Sequence, residues 1–178
     1  MKIIIPFTAL KKMYDTPETT EVMGIIHSND GVRYDRVLFS HYQENKNSGN
    51  ECKIDDIVIG TVSFHTHPKV CYVKYKTDKG WPSLDDMSSF INEDKMRILL
   101  VPSMEGTYIV VKKKRPGSSE MSTIKKQYKS NIKKDKMSIE EYVDTINNSC
   151  KDCIKILFFS KDKIFNESQY STINIDTY

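Results

Sequence analysis

Residues Val58–Asp86 constrain the fold of this 178-residue chain more than any other stretch. They read VIGTVSFHTHP and, after an intervening run, WPSLDD. An apolar run delivers His65 and His67 two residues apart, and Pro68 ends it. Because strand side chains alternate between faces, positions i and i+2 project from the same side of a sheet. The stretch therefore predicts a strand that presents two imidazoles in one direction.

The residues after this strand supply a carboxylate in a helical setting. Ser83-x-x-Asp86 is a capping-box pattern, which predicts a helix beginning at Ser83. Two imidazoles and one carboxylate are the protein ligands of many catalytic zinc ions, whose fourth position stays open for water. We therefore predict one Zn²⁺ per chain, bound by His65, His67 and Asp86. A helix start of this kind is also common without any metal, so the capping box alone would not indicate a site.

A zinc site that activates water also needs a general base nearby. Glu21 is the candidate, because it lies at the start of another predicted strand. Gly24, three residues later, allows a neighbouring strand to approach closely.

The remaining pattern predicts a mixed α/β fold. Pro6 and the spacing of Phe7, Leu10 and Met13 indicate a helix that ends before Pro17. The other expected elements are a hairpin of residues 21–28 and 32–39 around Asn29-Asp30-Gly31, a strand over 57–65, a helix from Ser83, strands over 97–102 and 108–111, a helix over 138–149 and a strand over 154–159. This order predicts a mixed sheet flanked by helices.

Length and charge indicate one catalytic core with an extension. Residues 1–113 carry all the predicted site residues, and 114–178 are expected to form a basic linker with a helix and a strand packed on the same domain. Basic segment 112–136 holds ten Lys or Arg residues against Glu120 and Asp135, so it is expected to be solvated. A net charge of +3 and the single aromatic Tyr128 in that segment argue against a nucleic-acid partner.

The cysteines and the hydropathy pattern bear on location. Cys52, Cys71, Cys150 and Cys153 lack the spacing of a small disulfide framework, so free thiols in the reducing cytoplasm are expected. Cys150-x-x-Cys153 could instead form half of a structural zinc site or a redox pair. No membrane span or signal peptide is evident. Abundant Lys, Asn and Ile are compatible with an AT-rich genome, including that of a large DNA virus, for which the compartment would be the host cytoplasm.

Glu21 in its Glu-x-x-Gly context, the strand ending in His-Thr-His-Pro and the Trp81–Asp86 stretch together resemble the JAMM (MPN+) zinc metalloproteases over residues 5–113. The resemblance implies an MPN-like domain with a curved mixed sheet. It implies that His65, His67 and Asp86 bind zinc, that Glu21 is the acid/base, and that Ser83 stabilises the oxyanion. Active members hydrolyse isopeptide bonds, so the implied substrate is ubiquitin or a ubiquitin-like protein on lysine. The need for an activating protein partner stays open.

Segment 69–82 departs from the family pattern, because its fourteen residues exceed the usual spacing between the proline and the serine. Asp78 and Asp85 could therefore compete as the third ligand, although only Asp86 keeps the Ser-x-x-Asp pattern. The aromatic residues Tyr72, Tyr75 and Trp81 of this segment could contact substrate, or could pack locally in a decorative loop. The alternatives to a deubiquitinase-like enzyme are an inactive MPN scaffold and a JAMM peptidase acting on another substrate.

Overall fold

The computed structural model describes residues 2–39, 60–130, 132, 137–168 and 170–176. These residues form a mixed α/β fold, as predicted. Its eight strands, among the residues described, are β1 (Lys2–Pro6), β2 (Met23–His27), β3 (Arg36–Phe39), β4 (Val62–His65), β5 (Ile98–Pro102), β6 (Gly106–Lys112), β7 (Ile154–Ser160) and β8 (Thr172–Asp176). The six helices of the same residues are α1 (Phe7–Met13), α2 (Lys69–Tyr75), α3 (Leu84–Asn92), α4 (Ser118–Ser130), α5 (Ile139–Ser149) and α6 (Lys161–Asn166).

Six of the strands form one mixed sheet in the order β3-β2-β4-β5-β6-β7. Only the central pair of β4 and β5 is parallel, and each of the other described pairs is antiparallel. β1 and β8 form a separate antiparallel pair. Strand β4, which ends at His65, is thus in the middle of the sheet, with a hydrogen-bonded neighbour on either side.

Two hydrophobic cores lie on opposite faces of this sheet. In β5, Ile98 and Leu100 face the core that includes α1, α6 and the β1–β8 pair, whereas Leu99 and Val101 face the core that includes α3, α4 and α5. The alternation follows from the two-residue period of a strand that is buried on both faces. The helix–sheet–helix arrangement predicted from the sequence is therefore confirmed.

The predicted hairpin forms, but its connection is longer than expected. β2 and β3 pair antiparallel from Gly24–Phe39 to His27–Arg36. Gly31 takes a positive φ of 72° in the turn, as the sequence suggested. Residues 32–34 do not join β3 because they pair with β1: Ile4 N–H donates to the Val32 carbonyl at 2.8 Å.

Gly24 lies where the sheet allows no side chain. A Cβ at this position would collide with the carbonyl oxygen of Leu38 and lie 2.6 Å from the ring of Phe64. The close approach predicted at Gly24 is therefore present, and it involves both neighbouring strands.

Several sequence expectations need correction. Segment 69–82 is not a plain loop, because α2 occupies its first half. Basic segment 112–136 is not simply solvated, because α4 covers much of it and buries Ile124. Helix α6 and strand β8 were not predicted. The start of the predicted 57–65 strand, and Cys52, lie outside the described residues.

Lys112, at the end of β6, shows why a charged residue can be buried here. Its ammonium donates to the carbonyls of Phe90 at 2.8 Å and Glu93 at 2.6 Å, with Ile91 at 3.3 Å. These are carbonyls at the C-terminal end of α3, which the helix itself leaves unpaired. Lys112 therefore ties the far end of α3 to the sheet. No helix among the described residues is both long and apolar enough to cross a membrane.

Candidate metal centre

The chain at Thr66 and His67, just after β4, is hydrogen-bonded on both sides. Thr66 N–H donates to the Val22 carbonyl at 2.8 Å, and Thr66 Oγ1 accepts from Val22 N–H at 3.0 Å. On the other side, His67 N–H donates to the Pro102 carbonyl at 2.8 Å. Regular pairing thus continues beyond the last residue of β4. His65 and His67 consequently point to the same face, the one that α3 covers.

The ring nitrogens of the two histidines converge with the carboxylate of Asp86. His65 Nε2 lies 3.1 Å from His67 Nε2 and 3.2 Å from Asp86 Oδ1. His67 Nε2 lies 3.5 Å from Asp86 Oδ2. Tetrahedral zinc ligands at about 2.0–2.1 Å from the metal are about 3.3 Å from one another. The spacing of these donor atoms therefore fits a single small divalent cation.

Glu21 is the second carboxylate of the cluster. Its Oε1 lies 3.9 Å from His65 Nε2, and Glu21, His65 and His67 each offer a ligand atom within 4.8 Å of the others. This group could hold a metal ion. Asp86 Oδ1 lies nearer to His65 Nε2, at 3.2 Å, so both carboxylates are close to the position that the two imidazoles share. Glu21 is held by its neighbour Val22, which is bonded to Thr66 as described above.

The tautomer of His67 is set by a backbone carbonyl. His67 Nδ1 lies 2.8 Å from the oxygen of Gly80, an acceptor that requires the proton to be on Nδ1. The Nε2 lone pair then faces the cluster. Histidine ligands of metals usually have such a hydrogen bond on the other ring nitrogen, which orients the ring.

Asp86 has two roles in one side chain. It closes the capping box of α3, accepting from Ser83 N–H at 2.6 Å, while Ser83 Oγ accepts from Asp86 N–H at 3.1 Å. The same carboxylate faces both imidazoles. The capping interaction fixes its orientation, so the helix start and the candidate ligand position are one structural unit.

The electrostatics show that the cluster is suited to a positive charge. The side chains of His65, His67 and Asp86 are only 6%, 14% and 19% exposed. Burial alone would lower the pKa of His65, yet the charge and hydrogen bond of Asp86 and the charge of Glu21 raise it to about 9. Burial would likewise raise the pKa of Asp86, but His65 and His67 hold it well below its usual range. A proton bound by this cluster would supply positive charge between the carboxylates and the imidazoles. A bound metal cation would supply the same charge.

The two competing carboxylates lie away from the cluster. Asp78 is 66% exposed and pairs with Lys79 at 3.0 Å. Asp85 is exposed and lines the adjoining cleft, whereas it is the carboxylate of Asp86 that faces both imidazoles. Of the three aspartates considered, the structure brings Asp86 to the histidines.

A cleft of about 190 Å³ opens beside the cluster and is lined by residues of both the cluster and segment 69–82. Of the aromatic residues predicted to contact substrate, Tyr75 is 56% exposed at the end of α2. Trp81 is fully buried and stacks on Tyr142 at 4.6 Å, so it is a core residue that forms a wall of the cleft. Tyr72 is half-buried, and its hydroxyl donates to the carboxylate of Glu105.

Two tyrosines of the C-terminal region support the start of α3, which sequence reasoning missed. The hydroxyls of Tyr128 in α4 and Tyr142 in α5 donate to the Pro82 carbonyl at 2.8 and 3.2 Å. Pro82 directly precedes Ser83, so these bonds position the capping box that contains Asp86. The apolar spacing of Met121, Ile124 and Tyr128 was the available signal for this packed helix.

The metal cluster includes no cysteine among the residues described. Cys71, Cys150 and Cys153 are buried and form no disulfide. Burial and the nearby Cys153 raise the pKa of Cys150 to about 12, which disfavours the thiolate needed for metal binding or redox exchange.

Comparison with known proteins gave no relative: no family description, curated protein or solved structure matches this chain.

Proposed function

We propose that this chain is a zinc-dependent isopeptidase of the JAMM type, which cleaves ubiquitin or a ubiquitin-like protein from lysine. One observation carries the proposal. Two imidazole nitrogens from the end of β4 and a carboxylate from the start of α3 lie 3.1–3.5 Å apart, with a second carboxylate beside them. Core packing alone would not favour this arrangement, because it places polar groups together where water is largely excluded.

His65, His67 and Asp86 would bind the metal, and Glu21 would remain free for proton transfer. Zinc bound there would act as a Lewis acid and would lower the pKa of a coordinated water to about 7. The hydrogen bond of His67 Nδ1 to Gly80 places the lone pair of the neutral imidazole on Nε2, toward the cluster, which is the orientation that metal binding needs. Asp86 is held by its capping box.

Glu21 is the general acid and base of the proposed reaction. Its carboxylate, 3.9 Å from His65 Nε2, can take a proton from a water molecule in the cleft and later deliver it to the leaving amine. Proton delivery matters because an amine departs from a peptide or isopeptide bond only when it is protonated.

Ser83 is the proposed oxyanion donor. Its Oγ accepts from Asp86 N–H and therefore can direct its own proton into the cleft that it lines. A hydroxyl held in this way can stabilise the charge that develops on the scissile carbonyl oxygen.

The proposal of a ubiquitin-like substrate rests on the resemblance of the motif, and the cleft is compatible with such a substrate. The volume of the cleft suits a few extended residues rather than a folded domain, so a flexible tail carrying the scissile bond would enter it. Helix α2 would lie beside that tail. Tyr75 is the exposed aromatic residue of segment 69–82 that is available to a folded substrate.

The test combines metal analysis with cleavage of a panel of ubiquitin chains, ubiquitin-like fusions and unrelated peptides. Purified protein should contain one zinc per chain, and His65→Ala, His67→Ala or Asp86→Ala should lose zinc and cleavage together. Glu21→Ala should keep zinc and lose turnover by about 10²–10⁴-fold. Asp78→Ala is the matched control, because it removes an exposed carboxylate that does not line the cleft and should change neither property.

Other results would redirect the proposal. Zinc binding with cleavage of unrelated peptides only would identify a peptidase of another class. Zinc binding without any turnover would favour a scaffold. Unchanged cleavage in Glu21→Ala would refute the role assigned to that residue.

A further inference from the structure

The hydrogen bond that orients His67 depends on a loop that is not part of the sheet. Its acceptor, the Gly80 carbonyl, belongs to segment 69–82. The backbone of His67 is fixed separately, because its N–H donates to the Pro102 carbonyl in β5. A movement of Gly80 by a fraction of an ångström would weaken this bond and release the ring. Whatever fixes the backbone of Gly80 therefore also controls the direction of the His67 Nε2 lone pair.

Glu105, in the turn between β5 and β6, holds the backbone of Gly80 from its N–H side, one residue's φ and ψ away from the carbonyl that His67 uses. Its Oε1 accepts from Gly80 N–H at 2.7 Å and from the Tyr108 hydroxyl at 2.8 Å. Its other oxygen accepts from the hydroxyl of Tyr72 in α2. The carboxylate thus joins three donors from three parts of the chain: the loop, β6 and α2.

The packing around Gly80 shows that the position of this residue is closely defined. A Cβ on Gly80 would collide with the Tyr72 hydroxyl and would lie 2.7 Å from Ser103 Cβ. The loop is therefore pressed against both α2 and the turn that carries Glu105. Tyr72 is fixed in its own right, because its hydroxyl accepts from Met104 N–H at 3.0 Å.

We propose that Glu105 is a positioning residue for the metal centre, acting on the His67 ring through the backbone of Gly80. This inference rests on the proposed function for its consequence, which is metal affinity, but its structural part concerns only His67. It also assigns a purpose to the first half of segment 69–82: α2 supplies Tyr72, which completes the set of donors around the Glu105 carboxylate.

The experiment compares Glu105→Ala, Glu105→Gln and the control Asp78→Ala in the full chain. Zinc affinity is measured by competition with a chromogenic chelator, and the His67 Nδ1–H signal is followed by NMR in metal-free protein at one fixed pH. Glu105→Ala should weaken zinc binding about 10-fold, the lower end for an indirect ligand partner, and should broaden or remove the Nδ1–H signal. Glu105→Gln keeps an acceptor for Gly80 and should recover the signal, with zinc affinity within about 3-fold of the parent.

Asp78→Ala removes an exposed carboxylate from the same loop, one that pairs with Lys79 and not with Gly80, so it should keep the Nδ1–H signal. Thermal unfolding of the metal-free variants separates a structural role from a positioning one. If Glu105→Ala lowers stability but leaves zinc affinity and the His67 signal unchanged, Glu105 is only a structural residue and the proposal is wrong.

Failure of the proposed function has a different signature. If the parent protein binds no zinc, the metal assignment fails, and the Nδ1–H signal still decides the role of Glu105. Loss of that signal in Glu105→Ala with recovery in Glu105→Gln would support positioning of His67. An unchanged signal would overturn it.

Discussion

In the metal-free protein, the folding stability should fall as the pH rises from 6 to 8. The perturbed group is His65, whose pKa is raised to about 9 in the folded protein from an unfolded value of 6.5. Between these two values the folded state binds more protons than the unfolded state, so stability decreases with increasing pH. The stabilisation is fully present below pH 6.5 and is lost as the pH passes through 9.

The expected size follows from the same two pKa values. A difference of 2.5 units corresponds to about 3 kcal/mol in total, since each unit is worth about 1.4 kcal/mol. Integration over the window from pH 6 to pH 8 gives a loss of about 2 kcal/mol. The window stops at pH 8 because Lys112, whose pKa burial lowers to about 8, titrates above it with the opposite sign.

Urea unfolding in the presence of a chelator measures this loss, with His65→Gln as the reference. Subtracting the profile of His65→Gln removes the contributions of other titrating groups, and Asp86→Asn should abolish the slope because it removes the charge that raises the His65 pKa. Zinc at 100 times its dissociation constant should add about 2.7 kcal/mol. The gain at a fixed zinc concentration should increase with pH, because zinc must displace the proton from His65.

Two results would refute this reasoning. Equal slopes in the parent and His65→Gln would show that His65 and Asp86 are not coupled as the distances indicate. A parent protein that zinc does not stabilise at pH 8 would show that the cluster binds a proton but not the metal.

Three further substitutions test the framework, each by urea unfolding. Gly24→Ala should cost about 1–3 kcal/mol because its methyl group would meet a backbone carbonyl, whereas Gly60→Ala meets only a side chain, at 3.1 Å, and should cost less. Lys112→Met should cost about 2–3 kcal/mol because it leaves buried helix carbonyls without a donor, and a cost below about 1 kcal/mol would contradict that role. Tyr128→Phe should lower the free energy of unfolding by about 1 kcal/mol. Zinc binding should weaken only slightly, because the Pro82 carbonyl keeps its bond from Tyr142. Unchanged stability would exclude a role of Tyr128 in supporting the start of α3.

The parts of the site that sequence could predict are those encoded by local spacing. His65 and His67 share a face because a strand has a two-residue period, and Ser83 and Asp86 form a capping box because they are three residues apart at a helix start. The hairpin and the central strands were predictable for the same reason. Each of these signals depends on residues that are neighbours in the chain.

The parts that could not be predicted depend on long-range contacts or on competing local signals. The Glu105–Gly80 bond joins residues 25 positions apart, and the Tyr128–Pro82 bond joins residues 46 apart. Neither has a sequence pattern. Helix α4 was missed for a different reason: its lysines indicated a solvated segment, although Ile124 and Tyr128 provide an apolar side that packs against α5.

A divalent cation would offset the charge of this cluster more completely than a single proton would. Asp86 and Glu21 bring two carboxylates to two imidazoles in a region that is mostly closed to water. A proton on His65 offsets only one of the two negative charges, whereas a divalent cation offsets both and leaves both imidazoles neutral. The metal-free cluster therefore retains an uncompensated charge, which is costly at this level of burial. The surrounding structure keeps the donors in place despite that cost, through backbone pairing at His67, the capping box at Asp86 and the carbonyl of Gly80. Holding polar groups in an unfavourable arrangement is expected where a ligand completes it, so the distribution of charge and the spacing of the donor atoms favour the same conclusion by independent routes.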